Sequence, residues 1–259
     1  MKSILTPTNP TLWNGRADSL PNERFFQRVI CAELEQYCKQ PLKSSPSFVL
    51  LGFSSDAGIV RNLGRQGAKD GPDHLRQALG RLAIPIQFTA PIHDIGNLIC
   101  ENDKLEEAQK NLGAVVDKLL KHGSSPIIFG GGHEIAWGHY QGIASAYPNK
   151  RLGIINFDAH FDLRPLLASN KGTSGTPFRQ IAEHRKSLNQ SFDYLCIGIQ
   201  PLANTQSLFE TANELNVKMI FAEQINQLEY CKKMIDGFIK DQDIIYLTLC
   251  LDVFNQSVA

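Results

Sequence analysis

Short apolar runs recur along the chain from residue 48 to residue 249. They are nearly continuous, are rich in branched and aromatic residues, and cover residues 48–53, 127–129, 152–157, 194–199, 217–221 and 244–249. A strand that is covered on both faces has no polar face, so runs of this kind are typical of buried parallel strands. The pattern therefore predicts six strands of a mostly parallel sheet.

Segments with helical periodicity separate several of these runs. Residues 101–122 place apolar side chains at spacings of three and four, and Gly123 follows them as a helix stop. Residues 203–214 and 224–240 show a similar pattern. Strands that alternate with helices predict an α/β protein with a doubly wound sheet, in which ligands bind beyond the carboxyl ends of the strands.

The amino-terminal segment shows neither pattern. It contains three prolines around one large apolar residue, Trp13. Proline fixes its own backbone angle and cannot donate a hydrogen bond, so regular structure is disfavoured there. We therefore predict an irregular arm at residues 1–25, followed by a single domain over residues 26–259.

Composition excludes several classes of protein. The 259 residues include 26 Lys+Arg and 26 Asp+Glu, so the chain lacks the basic character of a nucleic-acid-binding protein. It has no run of about eighteen apolar residues, and its first residues lack the apolar core of a secretory signal. The six cysteines are scattered, with no C-x-x-C pair. We expect a cytoplasmic protein with reduced thiols that binds neither nucleic acid nor membrane.

Candidate ligands for a cation follow the run at 152–157. The next residues are Asp158-Ala159-His160-Phe161-Asp162. If the extended conformation continues, Asp158, His160 and Asp162 lie on one face of the strand. Crowding these polar groups is costly without a partner, and a bound cation would satisfy all three. A polar strand end in solvent is the alternative interpretation.

The runs at 127–129 and 244–249 end in comparable residues. Gly130-Gly131-Gly132-His133-Glu134 follows the first run, and Cys250 and Asp252 follow the second. A single histidine after a glycine turn is more often structural than a metal ligand. However, its strand is predicted to neighbour the strand at 152–157 in one sheet, which favours the ligand interpretation of His133.

The pooled candidate ligands are His133, Asp158, His160, Asp162 and Asp252, with Cys250 as an open case. Two imidazoles and several carboxylates form an oxygen-rich set, which suits hard or borderline cations such as Mn²⁺ better than a thiolate zinc site does. The negative charge exceeds what one divalent ion requires, so the set predicts two ions that share carboxylates. The chemistry that this arrangement predicts is metal-assisted hydrolysis.

The three motifs resemble the metal-binding motifs of the ureohydrolase family, which includes arginases and agmatinases. The resemblance extends from about Trp13 to the end of the chain. Within the family it is strongest to the formimidoylglutamase subfamily, on segments 56–68, 71–72, 173–178, 198–200 and 204–205. The resemblance implies an arginase-like three-layer αβα fold with two Mn²⁺ ions per subunit. By position, the family's metal ligands match His133, Asp158, His160, Asp162 and Asp252.

The resemblance also implies an activity. A small-molecule substrate, N-formimidoyl-L-glutamate, would react with water to give L-glutamate and formamide, a step of histidine degradation. A carboxylate such as Asp162 would relay a proton to the leaving amine. Family members often assemble as homo-oligomers, so the same is expected of this chain.

Two positions separate this chain from arginases and agmatinases. Ser174 stands where those enzymes carry a proton-shuttling histidine, which argues against a guanidino substrate. Arg164 stands where arginases place a small polar residue near the substrate's α-carboxylate, and its guanidinium could pair with a glutamate carboxylate. A surface role for Arg164 is one alternative. Agmatinase or guanidino-acid hydrolase activity is the alternative for the whole chain.

Cys250 and the carboxyl terminus raise a further alternative. Most family members carry a metal-bridging aspartate at the position of Cys250, and a thiolate has no second oxygen with which to bridge. Family members also continue through another strand and a final helix, whereas this sequence ends seven residues after Asp252, at residue 259. We therefore expect a truncated domain without that strand and helix. The different-class alternative is an inactive family member that acts as a binding subunit.

Overall fold

The computed structural model describes residues 5–42 and 46–255. The chain divides into two compact units, Met1–Ala146 and Tyr147–Ala259. Among the described residues, no helix combines the length and the apolar character that crossing a membrane requires. The division into an arm at residues 1–25 and one domain at 26–259 stays a prediction.

The first unit alternates strands and helices along the chain. Its elements are β1 (Val29–Cys31), α1 (Leu34–Lys39), β2 (Phe48–Ser54), α2 (Ala57–Arg61), α3 (Gly71–Arg81), β3 (Ile92–Ile99), α4 (Leu105–Lys121), β4 (Ser125–Gly130) and α5 (Ile135–Ala146). The strands pair in the order β1-β3-β2-β4, and every pairing is parallel. Leu50 on β2 and Ile92 on β3 pack with Trp13 in one apolar core.

A buried ion pair joins α3 to β3. The side chains of Arg76 and Asp94 are both 0% exposed, and Arg76 Nε lies 2.7 Å from Asp94 Oδ2. A second guanidinium nitrogen donates to Asp94 Oδ1 at 2.8 Å, so the two groups meet in fork geometry. Trp13 Nε1 donates to Asp94 Oδ2 at 2.8 Å. The amino-terminal segment, α3 and β3 are therefore held in one buried polar network.

The second unit has the same alternation. Its elements are β5 (Leu152–Phe157), α6 (Pro177–Ser187), β6 (Asp193–Ile199), α7 (Gln206–Glu214), β7 (Lys218–Phe221), α8 (Leu228–Ile239) and β8 (Ile244–Leu249). The strands pair in parallel in the order β7-β6-β5-β8. The register sets Phe157 of β5 opposite Ile197 of β6 and Leu249 of β8. The carboxyl ends of these three strands therefore lie side by side.

The predicted α/β class with parallel strands is confirmed. The six predicted strands correspond to β2, β4, β5, β6, β7 and β8, and the three predicted helices to α4, α7 and α8. The prediction that the strands at 127–129 and 152–157 are neighbours in one sheet is wrong for the described residues. Among these residues, β4 pairs with β2, whereas β5 pairs with β6 and β8. Strand order depends on backbone pairing, which an apolar run does not encode.

Several elements were not predicted from the sequence, namely the strands β1 and β3 and the helices α1, α2, α3, α5 and α6. β1 has only three residues. β3 carries His93, Asp94 and Asn97, so it contains no apolar run. Its buried carboxylate is tolerated because a distant arginine, Arg76, pairs with it. A partner that is 18 residues away cannot be inferred from the local pattern.

We expect Asp94→Asn to lower the free energy of unfolding by about 3–5 kcal/mol, because it removes the buried carboxylate that pairs with the fully buried guanidinium of Arg76. The matched control is Asp73→Asn. Asp73 also approaches Arg76, at 3.3 Å, but its side chain is 46% exposed, so the expected loss is about 1 kcal/mol or less. Urea unfolding followed by tryptophan fluorescence measures both. Equal losses in the two variants would contradict the dominance of the buried pair.

Candidate metal centre

The segment after β5 turns sharply instead of continuing the strand. β5 ends at Phe157, and residues 158–162 are irregular. The backbone N–H of His160 donates to Asp158 Oδ1 at 2.8 Å, which closes a tight turn. Asp162 has a φ of 49°, in the left-handed region. The expectation that Asp158, His160 and Asp162 alternate along one strand face is therefore wrong.

The turn nevertheless brings His160 close to two carboxylates. Its Nδ1 lies 3.0 Å from Asp252 Oδ2 and 3.6 Å from Asp158 Oδ1. Ligand-type atoms of these three residues all lie within 4.8 Å of one another. Asp252 follows β8, the strand that pairs with β5, so two neighbouring strands supply the group from their carboxyl ends. Asp162 is not part of this group.

The negative charge of the two carboxylates in this group favours the binding of a cation. The side chain of Asp158 is 1% exposed, whereas those of His160 and Asp252 are 40% and 44% exposed. Hydrogen bonding to Asp158 and then to Asp252 raises the pKa of His160 to about 10. A proton on the imidazole thus offsets part of the surrounding negative charge. A divalent cation would offset more of it and would displace that proton, and carboxylate with imidazole is a donor set that suits Mn²⁺.

Cys250 also approaches Asp158. It follows β8, and its backbone N–H donates to the carbonyl oxygen of Phe157 at 2.8 Å. Its half-buried Sγ lies within 4.8 Å of an Asp158 carboxylate oxygen. Asp158 is therefore the carboxylate that the imidazole and the thiol have in common.

His133 lies in the first unit, in the turn between β4 and α5. The side chain of Glu134 fixes this turn to the segment after β2. Its Oε1 accepts hydrogen bonds from Ser55 Oγ at 2.9 Å and from the backbone N–H of Gly58 at 3.0 Å. Burial raises the pKa of the Glu134 carboxyl. His133 itself is half-buried and sits on a tightly held turn.

The predicted substrate-binding residues lie on two loops of the second unit that contact each other. The backbone N–H of Arg164 donates to the carbonyl oxygen of Gly175 at 3.0 Å. Ser174 is half-buried in the second loop, where Thr176 Oγ1 accepts a hydrogen bond from the backbone of Thr173. The side chain of Arg164 is exposed and forms no hydrogen bond or ion pair within the described ranges. Its guanidinium is therefore available to an anion.

Two polar residues beside Asp158 were not predicted from the sequence. Asn156 on β5 and Tyr194 on β6 are both buried. Asn156 Nδ2 lies 3.1 Å from Asp158 Oδ2 and 3.0 Å from the hydroxyl oxygen of Tyr194. An asparagine inside an otherwise apolar run is the one local signal of this arrangement, because a buried amide requires a polar partner.

The parallel strands, with carboxylates and an imidazole gathered at their carboxyl ends, define an α/β protein with a candidate metal centre. The model of the arginase family matches residues 46–259. This chain therefore belongs to the arginase family, as the three motifs predicted.

Relatives of known function are similar over most of the chain. The formimidoylglutamase of Legionella pneumophila strain Paris is 46% identical over 255 residues, which are 98% of this chain and 78% of that protein. The crystal structure of Trypanosoma cruzi formiminoglutamase with Mn²⁺ has a TM-score of 0.69 and 25% identity, covering 84% of this chain and 74% of that chain. The formimidoylglutamase of Bacillus subtilis shows the same fold, with a TM-score of 0.75, 20% identity, and coverage of 93% and 75%. The predicted arginase-like fold and the resemblance to formimidoylglutamases are confirmed.

Gly131 lets the turn before His133 approach the backbone of the segment after β2. A Cβ added at Gly131 would lie 2.2 Å from the carbonyl oxygen of Ser55. We expect Gly131→Ala to lower the free energy of unfolding by about 1–3 kcal/mol, because the carbonyl oxygen of Ser55 cannot move away without a shift of the backbone segment that carries it. Urea unfolding measures the loss.

Gly237→Ala is the control for this substitution. Gly237 lies in α8, and nothing lies within 4 Å of the Cβ that would be added. Alanine is favoured over glycine inside a helix, so we expect a gain of about 0.5–1 kcal/mol. If Gly131→Ala were as stable as the wild type, the close approach at Ser55 would not constrain the turn.

Proposed function

We propose that this chain is a manganese-dependent hydrolase that converts N-formimidoyl-L-glutamate and water into L-glutamate and formamide. The bond that breaks joins the formimidoyl carbon to the glutamate nitrogen. The observation that carries the proposal is the group of Asp158, His160 and Asp252, whose ligand atoms lie within 4.8 Å of one another. The group occurs in a chain that is 46% identical to a formimidoylglutamase.

Two Mn²⁺ ions per subunit are part of the proposal. Their ligands in the second unit would include Asp158, His160, Asp252 and Cys250, a choice supported by the proximity of these side chains. When bound, the ions would supply Lewis acidity, which would polarise the substrate and activate water as a nucleophile near neutral pH. The residues of the chain would hold the ions in place and transfer protons.

Asp162 and His133 complete the proposed ligand set. The negative charge of Asp162 contributes to the raised pKa of His160, which supports its place near the group. His133 is proposed as a ligand from its sequence motif. We further propose that Asp162 carries the proton released by the attacking water to the leaving nitrogen. The left-handed backbone at Asp162 is the kind of local strain that clusters at functional sites.

Arg164 is proposed to bind a carboxylate of the substrate. A guanidinium can meet a carboxylate with two parallel hydrogen bonds, which fixes both the position and the orientation of the ligand. The exposed side chain of Arg164 has no competing partner within the described residues. Ser174, in the loop that contacts the backbone of Arg164 through Gly175, is proposed to line the same subsite.

The proposal also assigns the chain to the cytoplasm and to a homo-oligomer. All six cysteines are free thiols, which suits a reducing compartment. The homo-oligomer is proposed because members of the family often assemble in this way.

We expect the chain, reconstituted with Mn²⁺, to release formamide and glutamate from N-formimidoyl-L-glutamate and to release no urea from arginine or agmatine. Ser174, in place of a proton-shuttling histidine, is the reason to expect discrimination against guanidino substrates. The measurement is product analysis of both substrate classes, with metal-free chain as the control. Urea release from a guanidino substrate, without formamide release, would overturn the proposed substrate.

We expect Arg164→Ala to raise KM by about 10- to 100-fold with little change in kcat, because removing a charged hydrogen-bond partner costs roughly 1.5–3 kcal/mol of binding. The matched control is Arg179→Ala, since Arg179 is partly exposed and pairs with Glu183. Steady-state kinetics at saturating Mn²⁺ separates the two parameters. An unchanged KM would remove Arg164 from the substrate site.

A further inference from the structure

β5 contains one polar side chain in an otherwise apolar strand. Asn156 is 0% exposed and lies between Ile155 and Phe157. The register places it opposite Cys196 of β6 and Thr248 of β8. A buried amide is unfavourable unless its hydrogen-bonding groups find partners. The partners of Asn156 therefore indicate why the strand keeps it.

The amide nitrogen of Asn156 serves a predicted metal ligand. Nδ2 donates to Asp158 Oδ2 at 3.1 Å and lies 3.0 Å from the hydroxyl oxygen of Tyr194. Oδ1 of Asn156 is buried and has no hydrogen-bond partner in the part of the chain that the structure describes. A reversed amide would place this oxygen against the carboxylate of Asp158. The carboxylate therefore selects the observed orientation.

Each oxygen of Asp158 thus accepts a hydrogen bond from a neutral donor. Oδ1 accepts from the backbone N–H of His160 at 2.8 Å, and Oδ2 accepts from Asn156. Two hydrogen bonds on different oxygens fix the rotation of the carboxylate about its Cβ–Cγ bond. Neither of these two donors carries a charge, so they orient the carboxylate without forming an ion pair with it.

The turn that carries His160 is supported by side chains of β6 and of the loop that follows β6. Tyr194 donates its hydroxyl proton to the carbonyl oxygen of Phe161 at 3.2 Å. The thiol of Cys196 lies 3.4 Å from the carbonyl oxygen of His160. Asn204 donates to the carbonyl oxygen of Ala159 at 2.9 Å and accepts from the N–H of Phe161 at 3.1 Å. The backbone around His160 is therefore held by side chains on both sides of the turn.

We propose that Asn156 is a positioning residue of the metal centre: its buried amide fixes the Asp158 carboxylate in the orientation that binds the cation. This inference rests on the proposed function, because it takes Asp158 as a metal ligand. Partners of this kind, which hydrogen-bond to a ligating carboxylate, change metal affinity by about 10- to 100-fold when removed. Asn156 would touch neither the ion nor the substrate.

The test compares Asn156→Leu with the wild-type chain by isothermal titration of the metal-free protein with Mn²⁺. We expect affinity for Mn²⁺ to fall at least tenfold in the variant, because Asp158 Oδ2 loses the amide donor that orients it. The half-saturating Mn²⁺ concentration for kcat should rise by a similar factor. Saturating Mn²⁺ should then restore much of kcat, whereas KM for the substrate should change little.

Ile155→Ala is the matched control. Ile155 is the preceding residue of β5 and packs in the apolar core with Leu195 and Ile197, so its truncation destabilises the unit without removing a contact of Asp158. Binding is expressed per folded chain, with the folded fraction measured by circular dichroism. Asn156→Ala is a second variant, which removes the same hydrogen bond without adding volume to the core. Ile155→Ala is expected to bind Mn²⁺ as the wild type does.

The outcomes separate the two proposals. If the wild-type chain binds Mn²⁺ and both Asn156 variants bind it equally well, Asn156 is only a core residue and this inference is overturned. If Ile155→Ala loses as much affinity as the Asn156 variants, the loss comes from general destabilisation, and the inference is again overturned. If the wild-type chain itself binds no Mn²⁺, the proposed function fails.

Discussion

A carboxylate that is removed from water has to be satisfied by donors or by a cation, and three buried carboxylates of this chain meet that requirement differently. Asp94 is held by a guanidinium fork from Arg76. Glu134 accepts hydrogen bonds from a hydroxyl and a backbone N–H, and its pKa is raised by burial. Asp158 also receives two neutral donors, but it lies beside an imidazole and a second carboxylate. What each carboxylate can do follows from these partners.

The contrast between Asp94 and Asp158 separates a structural carboxylate from a candidate ligand. Both are buried. The arginine at Asp94 neutralises the charge and uses both oxygens, so no cation could bind there without breaking the pair. The donors at Asp158 orient the carboxylate without cancelling its charge. The pKa of about 10 at His160 reflects the same excess of negative charge, since the imidazole holds a proton that a metal ion would replace.

The sequence was sufficient wherever the controlling interactions are local. Nearly continuous apolar runs predicted β5 and β8, and the residues after them placed Asp158 and Asp252 in one set of candidate ligands. The two carboxylates lie close together because these parallel strands end at a common edge. Prediction failed where a residue distant in the sequence determines the local structure. β3 was missed because Arg76 satisfies its buried Asp94. The turn at Asp162 was missed because a backbone-to-carboxylate hydrogen bond replaces the extended conformation two residues earlier.

The register of β5 connects the core to the candidate site. A strand that is buried on both faces has no alternating pattern to fix its register, so side-chain packing has to do so. A slip by one residue would move Asn156 to the face where Ile155 packs in the apolar core, and its amide would lose the hydroxyl of Tyr194 on the neighbouring strand. The observed register sets the amide nitrogen 3.0 Å from the hydroxyl oxygen of Tyr194. The same side chain therefore favours one register of the strand and orients the carboxylate at its end, so pairing errors and ligand misplacement are penalised together.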